Sequence, residues 1–121
     1  MDVKSYKDFL IWQKAVDIIV KLYELVKDFH KEEMYALTSQ LKRVAVSIPS
    51  NIAEGYDRNS TQIYIHFVSI SRGSLLELET QSIVAQKLKF IKNETLFSDL
   101  INQITEESKI INSFINKFRV E

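Results

Sequence analysis

The run Ser47-Ile48-Pro49-Ser50-Asn51-Ile52-Ala53-Glu54-Gly55 holds the only proline and one of the two glycines of the chain, inside a stretch that otherwise reads as one amphipathic helix. A proline in a helix interior removes a hydrogen bond and sets its ring against the carbonyl four residues back, here Ala45, at a cost of about 3 kcal/mol. Leu37, Leu41, Val44, Ile48 and Ile52 nevertheless stay in helical register straight through Pro49. If one helix ended there and another began, the phase would have no reason to persist. The pattern therefore predicts a kinked, continuous helix from about Met34 to Tyr56. The competing reading is a break, with Ser47 or Ser50 capping a new helix.

Elsewhere the chain has little with which to turn. Glycine and proline together make three of 121 residues, too few for the turns of an all-β fold. Three further helices are read at about 8–29, 60–91 and 93–118, the third segment capped by Asn59 or Ser60. The first carries two apolar stripes, Phe9-Trp12-Val16-Ile19-Tyr23-Val26 and Ile11-Ala15-Ile18-Leu22-Leu25-Phe29. The third shows Ile63, Phe67, Ile70, Ser74, Leu78, Gln81, Ala85 and Leu88 on one face, with Ile65, Val68, Leu75 and Leu76 opposite. In the last, Phe97, Ile101, Ile104, Ser108, Ile111, Ile115 and Phe118 form a heptad-like seam. Four helices with short connections make a single all-α domain, an up-down-up-down four-helix bundle over residues 1–121. Helices one and three carry more apolar surface than one core needs, and such surplus marks an interface. No segment remains to cover it, so self-association is expected.

Composition narrows the functional classes. There is no cysteine, which excludes disulfides and thiolate metal sites. Sixteen basic and sixteen acidic side chains cancel, unlike the basic excess of a protein that grips nucleic-acid phosphates. The N-terminus lacks a signal-length apolar core, and no run is long enough to span a membrane, so a cytoplasmic location is expected.

Around Pro49, Gln40, Arg43, Ser47, Asn51, Glu54 and Arg58 share one side of the second helix. The third helix offers Arg72, Gly73, Ser74 and Glu77. Glu77 falls at the edge of the apolar stripe, where a partly buried carboxylate needs a cation, Arg43 or Arg58. Gly73 is placed opposite the proline, where a missing side chain lets helices approach. These residues read first as a network fixing helix register and second as a polar pocket or subunit contact. Neither His30, in a connection, nor His66, beside core residues, has the Glu-x-x-His pairing of a di-iron bundle, so no metal or other cofactor is expected. No nucleophilic triad or phosphate-cradling loop is present. Lys87, Lys89 and Lys92 suit the negative end of a helix dipole.

Taken together, Trp12-Gln13-Lys14-Ala15, Leu37 to Arg43, Ser47 to Gly55, Arg58, Phe67 and Arg72-Gly73-Ser74-Leu75-Leu76-Glu77-Leu78-Glu79 make the chain resemble the 23S ribosomal-RNA intervening-sequence proteins. The resemblance covers roughly the first ninety residues; the last helix matches in pattern only. Phe29-His30 stands where the family often has Phe-Pro, and Ser71 where an alanine is common. The resemblance implies a four-helix bundle assembled into a ring-like homopentamer, without an established activity. Related accessory proteins of diversity-generating retroelements form similar rings that bind a reverse transcriptase and nucleic acid. Those proteins are strongly basic and this chain is neutral, so the assembly carries over and the nucleic-acid activity does not. The expectation is a non-enzymatic, homo-oligomeric interaction protein whose partner is itself. The alternative is an RNA- or nucleoprotein-binding accessory protein using a face formed on assembly.

Overall fold

Ser5 sets the first turn. Its hydroxyl accepts a hydrogen bond from the Lys7 amide at 3.1 Å, while the Asp8 carboxylate accepts from the Ser5 amide at 3.1 Å. This reciprocal cap closes a short 3-10 turn, Tyr6–Asp8, after which Phe9 is extended. In this computed structural model, which describes residues 4–29 and 32–119, four helices follow: α1 (Leu10–Val26), α2 (Glu32–Tyr56), α3 (Thr61–Lys87) and α4 (Glu94–Arg119). The first helix starts later than its apolar stripe because Asp8 is spent as a capping acceptor. Ser60, not Asn59, caps α3, its hydroxyl accepting from the Ile63 amide at 3.3 Å. Asn93 caps α4 through the Leu96 amide at 2.9 Å.

α3 stops short of the expected Ile91. Phe90 N–H donates to the Ala85 carbonyl at 3.0 Å and Lys89 N–H to Gln86 at 2.9 Å, with Lys89 left-handed at φ 65°. That is a Schellman closure with lysine where glycine is usual.

Cross-helix contacts give the topology. Tyr23 meets Lys42 across α1 and α2, and Ile48 meets Ser71 across α2 and α3. Arg72 meets Asn112 across α3 and α4, and Lys14 and Lys21 meet Glu106 and Asp99 across α4 and α1. The α1–α4 pairs run in opposite order along the two helices, and packing passes round the bundle from α1 to α2, α3, α4 and back. The result is the expected all-α four-helix bundle.

α2 runs unbroken through Pro49, so the continuous reading holds. Ser47 and Ser50 do not cap a second helix. Their hydroxyls donate backward, to the Val44 carbonyl at 2.6 Å and the Val46 carbonyl at 2.8 Å. Asn51 Nδ2 does the same to the Ser47 carbonyl at 2.8 Å. Backward bonding of this kind accompanies helix bending. The buried Ser71 hydroxyl on α3 donates to the Ile48 carbonyl, beside the proline, at 2.7 Å.

The core chooses between the stripes of α1 and of α3 and corrects the register of α4. On α1 it is the second stripe, Ile11, Ala15, Ile18, Leu22 and Leu25, that is buried. On α3 the buried seam is Tyr64, Val68, Ser71, Leu75, Leu78, Ser82 and Ala85. Ile63, Ile70 and Leu88, from the first of its two apolar faces, are exposed. On α4 the seam takes Leu100 and Glu107 in place of Ile101 and Ser108.

Candidate interaction face

The glycine that admits α3 to α2 is Gly55. A Cβ there would stand 2.7 Å from Phe67 Cβ and 2.8 Å from a Tyr64 ring carbon, so only hydrogen fits. Gly73 has open space around it and does not serve the close approach expected of it. Arg58, in the connection just after α2, lies over the Phe67 ring, 5.2 Å from its centroid. These contacts place the polar side of α2 and the Ile63-Phe67-Ile70-Ser74 side of α3 along one outer face.

That face does not hold the single network expected. Arg43 donates to Gln40 Oε1 at 3.2 Å, and Arg58 pairs with Glu54 at 3.0 Å. Ser47 and Asn51 are occupied with α2's own carbonyls. Arg72 turns the other way and donates to Asn112 on α4 at 3.0 Å. Ser74 is half-buried in the α3 seam. Glu77 is exposed and accepts only from Gln81, at 3.4 Å; among the described residues it pairs with neither Arg43 nor Arg58. An exposed carboxylate keeps its water and needs no cation, which removes the reason for the expected ion pair. The candidate residues are separate pairs rather than a pocket. His66 is exposed, its ring edge-on to Phe67, and His30 lies outside the described residues.

What the face does present is apolar. Positions 63, 67, 70, 74, 77, 81, 84 and 88 follow alternating steps of four and three, a second seam one residue out of phase with the buried one. Ile63, Ile70, Val84 and Leu88 on it are 45%, 40%, 42% and 55% exposed. Ser74, Glu77 and Gln81 interrupt this outer seam, and the inner one carries its own small or polar positions, Tyr64, Ser71, Ser82 and Ala85. A second apolar region lies across α1 and α2. Tyr6, Trp12, Val16, Pro49, Ser50 and Ala53 line a groove of about 230 Å³, and the α1 stripe continues through exposed Val20 and Tyr23.

Sequence reasoning missed one residue altogether. Glu107 occupies the α4 core seam with no exposed surface, and neither carboxylate oxygen has a hydrogen-bond partner. Burial pushes its carboxyl up to about 8, with Lys14 pulling it down and Glu106 pushing it further up. Lys14 itself pairs with Glu106 at the surface. Beside them Lys14, Asp17, Gln103 and Glu106 line a void of about 30 Å³, room for a water but not a substrate. The signal was present in the 97-100-104-107-111 spacing, but Ile101 and Ser108 drew the seam one residue away. No cluster of three potential metal ligands occurs among the described residues. No helix there is long and apolar enough to cross a membrane.

A sequence model of the 23S rRNA-intervening sequence protein family matches residues 7–113. No curated protein matches. The fold is shared with a crystal structure from Bacteroides thetaiotaomicron, described as a protein with unknown function from the S23 ribosomal protein family. That likeness has a TM-score of 0.78 at 23% identity and covers 88% of this chain and 98% of the other.

Proposed function

The chain belongs to the 23S rRNA-intervening sequence protein family, and on that footing we propose that it is a non-enzymatic interaction protein that assembles with copies of itself into a ring, a pentamer. The observation that carries this reading is the outer seam of α3. A helix that keeps heptad spacing on its solvent side, with Ile63, Ile70, Val84 and Leu88 exposed, is patterned for a second helical partner. The α1 stripe through Val20 and Tyr23, with the groove behind it, supplies a different surface for the next copy. Two unlike surfaces on one subunit make a head-to-tail contact, which closes into a ring when the rotation allows.

Light scattering at micromolar concentration should return a discrete oligomer. Ile70→Asp and Val20→Asp, both at exposed positions, should each leave a folded monomer. Mixed together, each retains one intact surface and the two should form a 1:1 dimer. A monomeric wild type sinks the proposal. An oligomer that Val20→Asp leaves intact while Ile70→Asp abolishes it points instead to α3 meeting α3.

A second reading has one observation behind it. Lys87, Lys89 and Lys92 are all exposed at the α3 terminus beside Leu88, and copies of this cluster around a ring would add into a basic surface. A salt-dependent gel shift with structured ribosomal RNA tests it, and no binding at low salt removes it.

A further inference from the structure

Within the α4 seam, Phe97, Leu100, Ile104, Ile111 and Ile115 are apolar, and Glu107 alone breaks the series. Its two oxygens have no donor, and one turn earlier on the same helix the side-chain carbonyl of Gln103 is buried and unpartnered as well. Side chains four apart on a helix are neighbours. A protonated carboxyl becomes a donor, and the buried carbonyl oxygen four residues back on the same helix is the acceptor that spacing offers it. We infer that Glu107 is held as a neutral acid inside the bundle, sharing its proton with Gln103, and that loss of this proton loosens the α1–α4 seam.

The surroundings agree. Of the charged groups near it, α1 brings Lys14 and Asp17, and α4 brings Glu106, to which Lys14 is already committed. On α3, Arg72 is turned to Asn112 and Glu79 is half-buried; α2 faces the core with Ile48 and Ile52 and brings no charge. Among the described residues Lys14 is the cation that acts on Glu107, and its ammonium is paired with Glu106. The folded carboxyl lies near 8 against 4.5 for the free group. Stability from this residue is therefore complete below the unfolded value, falls as the unfolded chain ionises first, and levels off once the folded carboxyl ionises too. A Gln103 amide turned the other way would instead offer a donor to an ionised carboxylate, and the same experiment separates the two.

Urea unfolding at fixed protein concentration, from about pH 5 to about pH 9, is the first measurement. Relative to Glu107→Gln, the wild-type folding constant should fall by up to about tenfold per pH unit inside the window from 4.5 to 8. Parallel profiles for the two proteins overturn the inference. If Glu107→Gln does not fold, carbon-13 spectra of side-chain-labelled glutamates in the wild-type protein decide alone. One carboxyl should titrate well above all the others, and a set that titrates together in the ordinary range refutes the neutral acid.

Discussion

The two glycines separate what helix propensity wants from what packing allows. Gly73 sits in an exposed helix interior with nothing near it, so Gly73→Ala should raise stability by roughly 0.5–1 kcal/mol. Gly55→Ala gains the same propensity but drives a methyl into Phe67 and Tyr64, and should cost roughly 1–3 kcal/mol. Opposite shifts in thermal midpoint check both, and a neutral Gly55→Ala would mean that α2 and α3 can part without penalty. Glu77→Gln, which removes a charge already in water, should change stability by less than about 0.5 kcal/mol. Of the nine candidate residues, the adjacent pairs Gln40–Arg43 and Glu54–Arg58 were legible because helical spacing alone makes them neighbours. The exposure of Glu77 was not, since which face of α3 turns inward is settled by its neighbours.

At the scale of elements, the helices and their caps follow from local chemistry, and α3 shows where that stops. Its closing residue, Lys89, holds a left-handed backbone that costs an L-residue about 1–2 kcal/mol. Lys89→Gly should recover about 1 kcal/mol in chemical denaturation, and a loss of stability would show that the lysine side chain contributes to the turn. The same helix carries two heptad seams a residue apart. Hydropathy does not separate them, because the outer one sets Ser74, Glu77 and Gln81 among Ile63, Phe67, Ile70, Val84 and Leu88. The inner seam wins because small residues such as Ser71, Ser82 and Ala85 allow close packing, and because Ser71 satisfies its hydroxyl on the Ile48 carbonyl. α4 repeats the lesson with Glu107, a residue type almost never buried without a partner.

For the whole molecule, the surplus apolar surface and the buried acid bear on the same property. Assembly adds contacts that favour the folded subunit, so apparent stability should rise with protein concentration for the wild type and not for Ile70→Asp. Repeating the urea transition over a range of concentrations checks this; concentration independence in both would remove the ring.

By itself the sequence determined the helical class, the four segments and the passage of α2 through Pro49. Each depends on turn residues, caps and a period that the chain carries locally. Only the tertiary structure decided which stripe of α1, α3 and α4 is inside, that Gly55 rather than Gly73 admits the neighbouring helix, and that Glu107 is in the core. Those outcomes depend on the angle at which each helix meets two others. A single helix, apolar on more than one side, contains nothing that chooses between them.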